Sequence, residues 1–300
     1  MHFKTIDEII THARSVKKHK VVAVPAANDE HAIEAVFRAY KEEIVVPRLI
    51  GNEGLIRECL EKQGAEELVP FIVPENGGDS ACAQKAVDMA RSGEAELLLK
   101  GSLQSSDYLR PIVSHNGLKK RSTMSAVAVM SVPAYHKIFV MTDGGLLLKP
   151  TLEQKKEEIL NAVEALRGIG YDEDIRVAVL CSSETVNPKL PEMVDAAALK
   201  EMNLRGEIPD CIVEGPISFD LATNKDAAEA KGYQSPVAGE ADILVVPDLV
   251  SGNILGKALG WAGSRGVNSI GGTTVPVALP SRGSSAETKY EILVYCALMA

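Results

Sequence analysis

Apolar and polar positions come in alternating blocks along the first hundred residues. Lys20–Pro25 is a short apolar run behind a charged amphipathic stretch, and Asn28 and Asp29 precede apolar positions at helical spacing, Ile33, Val36, Phe37 and Tyr40. This predicts a helix, a buried strand and a capped helix. Val45–Gly51 reads as a second strand stopping at glycine, after which Asn52 caps a helix bearing Ile56 and Leu60. Phe71–Pro74 repeats the strand theme, Ala81–Ser92 reads as helix, and Glu96–Gly101 as strand. Strands that alternate with helices imply an α/β fold with a parallel sheet covered on both faces.

The pattern then changes. Ser125–Pro133 and His136–Thr142 are adjacent strand-like runs, expected to pair antiparallel; Asp143–Gly145 turns the chain, and Leu152–Leu166 is an amphipathic helix. Ile175–Leu180, Cys211–Gly215 and Ala241–Pro247 predict the strands of a second α/β set. Three hundred residues exceed what one core usually serves. Two lobes are expected, residues 1–145 with 280–300 and residues 146–279, and the absence of a low-complexity linker predicts that strands or helices join them.

A formal charge of −9 repels a phosphate backbone, which argues against a nucleic-acid partner. Any phosphate-bearing ligand has to be met by a local cluster of Arg and Lys. The five cysteines, Cys59, Cys82, Cys181, Cys211 and Cys296, show neither paired nor zinc-like spacing, so reduced and mostly buried thiols are expected, with no metal. The first twenty residues lack a signal-peptide core and no apolar run is long enough to span a bilayer, which predicts a cytoplasmic protein without a membrane partner.

The candidate chemistry lies near the C-terminus, in Pro280–Lys289, ahead of an apolar helix carrying Ile292, Leu293, Tyr295, Cys296 and Leu298. Ser284 and Glu287 have capping-box spacing, and a capped helix start offers free N–H groups to an anion. Ser281 and Arg282 precede it, and a guanidinium matches a pair of phosphate oxygens. The alternative is an ordinary loop and cap with Arg282 solvated. The glycines between Gly260 and Gly272 contain no dinucleotide fingerprint, while Asp248, Gly252 and Asn253 follow a strand, where α/β proteins commonly bind ligands.

Ser281–Ser285, preceded by Ala241–Asn253, resembles the phosphate acetyl/butyryltransferases. Glu214–Asp220, Val186–Lys189, Lys100–Ser102 and Asp143 follow in the same resemblance, which covers nearly the whole chain. Ser285, Glu287, Thr288 and Lys289 are similar to the butyryl branch. The resemblance implies a two-lobed fold like that of isocitrate and isopropylmalate dehydrogenases, with the active site in the interlobe cleft, and a homodimer or larger assembly. It implies reversible transfer of a butyryl or similar short or branched acyl group between coenzyme A and phosphate, through acyl-CoA and acyl phosphate, with coenzyme A as substrate and no tightly bound cofactor. Acetyl transfer is the alternative, and a catalytically idle binder of coenzyme A or acyl phosphate is the alternative of another class.

By the same resemblance, Ser281 and Arg282 form the reaction centre and Arg110 and Arg282 hold phosphate; Ser284 and Ser285 are further phosphate-binding candidates at the helix entrance, and Asp248, Gly252 and Asn253, by their place after a strand, are candidates for the substrate and coenzyme A cleft. The acetyl branch places a carboxylate where this chain has Thr288, which cannot act as a base. Glu287 is then the nearest carboxylate to take the thiol proton, or else it is occupied at the helix cap.

Overall fold

The computed structural model describes residues 3–281 and 283–300. Contacts divide the chain into two units: Asp7–Ser122 with Val267–Ala300, and Thr123–Gly266 with the first residues up to Ile6. The divisions fall at 122/123 and 266/267, whereas the sequence pattern put them at 145/146 and 279/280. Strand pairing explains the difference. The antiparallel strands after residue 123 join the second set of strands, and a two-residue strand at Val277–Ala278 pairs back to the first.

The first, N-terminal unit starts with α1 (Ile6–Val16), β1 (Lys20–Pro25), α2 (Glu30–Lys41), β2 (Val45–Gly51) and α3 (Glu53–Lys62). A 3₁₀ turn at Glu66–Phe71 leads to β3 (Ile72–Pro74), α4 (Asp79–Ser92), β4 (Leu97–Leu99) and α5 (Ser105–Val113). Asp29 and Asn52 cap α2 and α3 through their side chains, as their residue types predict.

The second, central unit holds β5 (Ser125–Ser131), β6 (Phe139–Thr142), α6 (Leu152–Gly168), β7 (Ile175–Leu180), α7 (Pro191–Leu204), β8 (Cys211–Ile217), α8 (Phe219–Thr223), α9 (Lys225–Ala230), β9 (Ile243–Val245) and α10 (Leu249–Trp261). The chain returns to the N-terminal unit through β10 (Arg265–Gly271), β11 (Val277–Ala278) and α11 (Ala286–Met299).

In the N-terminal unit the strand order is β3-β2-β1-β4-β11-β10, parallel except for the β10–β11 pair. In the central unit it is β5-β6-β9-β7-β8, parallel except for β5–β6. Both are mixed α/β sheets. Their inner strands are continuous apolar runs because both faces are covered, as at Val22, Ala23 and Val24 of β1 and Ile243, Leu244 and Val245 of β9. Helix α11 is buried from Lys289 to Leu298, which accounts for its apolar character on every side.

Cys59, Cys82 and Cys296 are buried and all five cysteines are free thiols. Burial pushes the Cys59 thiol up to about 11. Among the described residues no helix is long and apolar enough to cross a membrane.

Candidate active site

Because β1, β4 and β11 run parallel, their C-terminal ends open on one edge of the N-terminal unit's sheet. Ala26–Asp29, Gly101–Ser102 and Leu279–Ser281 leave the sheet there, the edge at which α/β folds commonly bind ligands. The Ser102 N–H donates to the Ala26 carbonyl at 3.0 Å, and its hydroxyl to Asn28 Oδ1 at 3.0 Å. This approach leaves no room for a side chain at Gly101. A Cβ there would sit 2.3 Å from the Ala26 oxygen and 2.4 Å from the Pro25 oxygen. Ala26 itself is held at φ 50°, a left-handed conformation that side-chain-bearing residues rarely adopt.

Ser281 is exposed, and its carbonyl accepts the Ser284 N–H at 3.1 Å, closing a turn just before α11. Ser284 is therefore part of that turn, and the cap lies one residue later. The Ser285 hydroxyl accepts the Thr288 N–H at 3.2 Å and lies 3.1 Å from the Thr288 hydroxyl. This corrects the expected Ser284–Glu287 capping box, because the third helical position falls on Thr288. Arg282, the candidate phosphate clamp, lies outside the described residues.

Glu287 points away from the cap to the Arg38 guanidinium on α2. Arg38 lies 3.9 Å over the Tyr290 ring, and Tyr290 and Arg14 both bond Glu42, so Glu287 belongs to a network tying α11 to α2. To take a proton from a thiol, this carboxylate would have to leave Arg38.

Two residues that the sequence reading did not single out for the site also meet here. The Lys289 ammonium, buried on α11, holds both oxygens of Asp29, whose Oδ1 also accepts the Ala32 N–H at 2.8 Å. His31 Nδ1 lies 3.2 Å from the Ser284 carbonyl. A carbonyl only accepts, so that hydrogen bond puts the proton on Nδ1 and leaves Nε2 as the lone-pair nitrogen of the neutral ring. Spacing could not reveal either contact, since 260 residues separate Asp29 from Lys289 and 253 separate His31 from Ser284. Arg110 stands apart from these contacts on α5, largely exposed, with its guanidinium 3.6 Å from Asp107.

The central unit gathers Asp248, Gly252 and Asn253 beside the Asp143–Gly145 turn, at the C-terminal ends of the parallel strands β6 and β9. Asp248 caps α10, accepting the Ser251 N–H at 2.9 Å and its hydroxyl at 2.8 Å, and these bonds lower its carboxyl below the usual range. Gly252 is in backbone contact with Gly144: a Cβ would lie 2.8 Å from the Gly144 Cα and 2.6 Å from Val246 Cγ2. The Asn253 amide reaches the Gly144 carbonyl at 3.5 Å and remains exposed.

Asp143 is buried and accepts N–H groups from Ala126, Gly145 and Leu146 at 2.7–2.8 Å. Burial raises its carboxyl even so. Glu158 of α6 is fully buried, and neither its carboxylate oxygens nor the Thr142 hydroxyl has a hydrogen-bond partner among the described residues. Burial, reinforced by the Asp143 charge and opposed by Lys155, pushes Glu158 up to about 8. Among the described residues no group of three or more His, Cys, Asp or Glu could hold a metal ion.

Residues 79–297 match the family described as phosphate acetyl/butaryl transferase. The phosphate acetyltransferase of Thermotoga maritima is 40% identical over 300 residues, covering 98% of this chain and 99% of that one. The phosphate butyryltransferase of Clostridium acetobutylicum is 35% identical over 299 residues, covering 99% and 98%. The crystal structure of a branched-chain phosphotransacylase from Enterococcus faecalis V583 superposes with a TM-score of 0.80 at 30% identity, covering 93% of this chain and 98% of that one. With likeness of this extent to both acetyl and butyryl enzymes, the chain belongs to the phosphate acetyl/butyryl transferase family and is a phosphate acyltransferase.

Proposed function

We propose that the chain transfers a butyryl or similar short or branched acyl group reversibly between coenzyme A and inorganic phosphate, with its reaction centre at Ser281 and Arg282. The observation that carries this reading is the turn at the entrance of α11. There an exposed serine hydroxyl follows β11, with Arg282 next in sequence, on the sheet edge where β1, β4 and β11 end.

In the phosphate-forming direction a thiolate attacks the carbonyl carbon of the acyl phosphate, and in the other direction a phosphate oxygen attacks the thioester. Either attack gives a tetrahedral oxyanion. Ser281 donates a hydrogen bond to that oxyanion, while Arg282, Arg110, Ser284 and Ser285 hold the phosphoryl oxygens. Collapse expels phosphate in one direction and the coenzyme A thiolate in the other. The thiol proton goes to Glu287 once it is released from Arg38, or to His31 Nε2. Asp248, Gly252 and Asn253 contact coenzyme A.

The butyryl assignment is supported by Ser285, Glu287, Thr288 and Lys289 and by likeness to the branched-chain phosphotransacylase. Acetyl transfer is the second reading, favoured by the 40% identity to the Thermotoga maritima enzyme. The isocitrate/isopropylmalate dehydrogenase-like lobe arrangement, a cytoplasmic location, the lack of a resident cofactor and a homodimeric or larger assembly belong to the same proposal.

Coenzyme A-dependent phosphate release from acetyl, butyryl and branched acyl phosphates tests the assignment. The expected result is the highest kcat/KM with butyryl or a branched chain. A higher value with acetyl phosphate selects the second reading.

A further inference from the structure

A strained residue and a close backbone approach meet where β1 and β4 leave the sheet. Ala26 holds φ 50°, and Gly101 lies so near the Pro25 and Ala26 carbonyls that no Cβ fits. Strain of this kind persists only where the surroundings over-determine it, and it gathers at functional sites. What it holds here is one side-chain contact. The Ser102 N–H is fixed on the Ala26 carbonyl at 3.0 Å, and the Ser102 hydroxyl donates to Asn28 Oδ1 at 3.0 Å. With its oxygen engaged by Ser102, Asn28 is left with its amide N–H groups, which donate and cannot accept. Asn28 is exposed, and no acceptor among the described residues takes them.

The neighbours of this pair belong to the reaction turn. Ala23 of β1 stands opposite Leu98 of β4, and Leu98 opposite Val277 of β11. Carried three residues further, the register sets Ala26, Gly101 and Pro280 level, and Ser102 and Ser281 come next on neighbouring chains. Chains so paired lie about 4.8 Å apart. Asn28 is also tied from the α11 side: Asp29, the next residue, holds Lys289, and His31 Nδ1 meets the Ser284 carbonyl.

We infer that Asn28 is a catalytic residue of the acyl transfer, donating a second hydrogen bond beside that of Ser281 to the oxyanion formed at the acyl carbonyl, and that Ser102 positions it. The inference rests on the reading of Ser281 as the reaction centre. When the nucleophile adds, the π electron pair of the carbonyl moves onto oxygen. A carboxamide N–H stabilises that charge without giving up its proton, so nothing has to be returned when the intermediate collapses. A donor oriented beforehand gains most as the charge develops, which places its contribution in kcat. The nearby carboxylates of Asp29 and Glu287 would repel the oxyanion and are held in ion pairs.

The test is steady-state kinetics with acetyl, butyryl and branched acyl phosphates, beside thermal melts. Asn28→Asp keeps an oxygen for the Ser102 hydroxyl and removes both donors. It is expected to lower kcat about a hundredfold, with the KM values little changed and Tm unaltered. Ser102→Ala is expected to lower kcat by up to about tenfold, and Ser102→Thr, which retains the hydroxyl, to recover it. In an Asn28→Ala background, Ser102→Ala should cause no further loss, because Ser102 acts through Asn28. Asn28→Asp with native kcat, or with only a raised KM, overturns the inference. A further loss in the Asn28→Ala background overturns the role of Ser102. Should Asn28→Asp not fold, Ser102→Ala and Ser102→Thr decide: equal kcat in these two variants overturns the inference. A native chain that turns over no acyl phosphate overturns the acyl-transfer reading as well, whereas native turnover that is indifferent to Asn28 overturns this inference alone.

Discussion

The Lys289 ammonium lies 2.6 and 2.7 Å from the two carboxylate oxygens of Asp29, so one ion pair joins the first turns of α2 and α11 beside the Ser281 turn. Lys289 is buried, while Asp29 keeps limited contact with water and caps α2 as well. The pair ties the start of α11 to the start of α2 just beyond the Ser281 turn.

Removing one partner strands the other charge. Lys289→Met is expected to destabilise the fold by about 3 kcal/mol. Asp29→Asn loses the pair but retains capping ability, and it should cost somewhat less. The double variant should be clearly more stable than the sum of the two predicts. Urea denaturation of the four proteins in a double-mutant cycle measures this, and additive losses would show that the pair is not coupled.

Ser281 is exposed and holds the turn through its backbone, so its hydroxyl can be removed without disturbing packing. Ser281→Ala is expected to lower kcat about a hundredfold, the scale of one lost oxyanion donor, at an unchanged Tm. Arg282→Gln should raise the phosphate KM or depress turnover by about tenfold to a hundredfold, again at constant Tm. Steady-state kinetics beside thermal melts separate these effects from unfolding.

Glu158 gives the fold a pH dependence of predictable sign. Its carboxyl is pushed from an ordinary value of 4.5 up to about 8 by burial and by Asp143, so between those pH values the unfolded chain releases a proton that the folded chain keeps. The folded state then binds more protons, and stability falls as pH rises through that window. Below it the effect vanishes. Glu158→Gln, neutral at every pH, is expected to be more stable than the native chain by a few kcal/mol at pH 8 and nearly equal to it at pH 4. Melting curves across that range check the slope.

A methyl group at Gly101 has nowhere to go, because the atoms it meets are backbone carbonyl oxygens of Pro25 and Ala26 rather than side-chain ends. Gly101→Ala should therefore cost about 3 kcal/mol or more and displace Ser102 from Asn28. Gly283→Ala, whose added Cβ would meet no atom of the other described residues within 4 Å, serves as the control and should leave the melt unchanged.

The strands that were legible in the sequence are those whose surroundings are apolar on both sides. The runs at Lys20–Pro25, Val45–Gly51 and Ile175–Leu180 coincide with β1, β2 and β7. Asp29, Asn52 and the adjacent antiparallel runs also announced themselves. By contrast, β11 is two residues long, and only its pairing with β4 and β10 makes it a strand. Helix α5 carries an internal proline, a residue that ordinarily interrupts a helix. The cap of α11 lies one residue beyond the Ser284 that capping-box spacing selects, because Ser284 is engaged in the turn from Ser281 and Glu287 is drawn to Arg38. Lys289, His31 and Arg38 could be assigned no contact, since their partners come from the other end of the chain.

That separation bears on how the molecule is made. During synthesis β1 to β4 leave the ribosome early, whereas β11 and α11 follow only after the whole central unit. Until then β4 is an uncovered edge strand and α2 lacks the helix that later packs on it, the kind of exposed state that chaperones guard. A chain interrupted before Val277 would release a central unit able to form its own sheet, attached to an N-terminal unit with an open one. β11 and α11 thus close the open edge of β4 and bring the Ser281 turn to it in the same step.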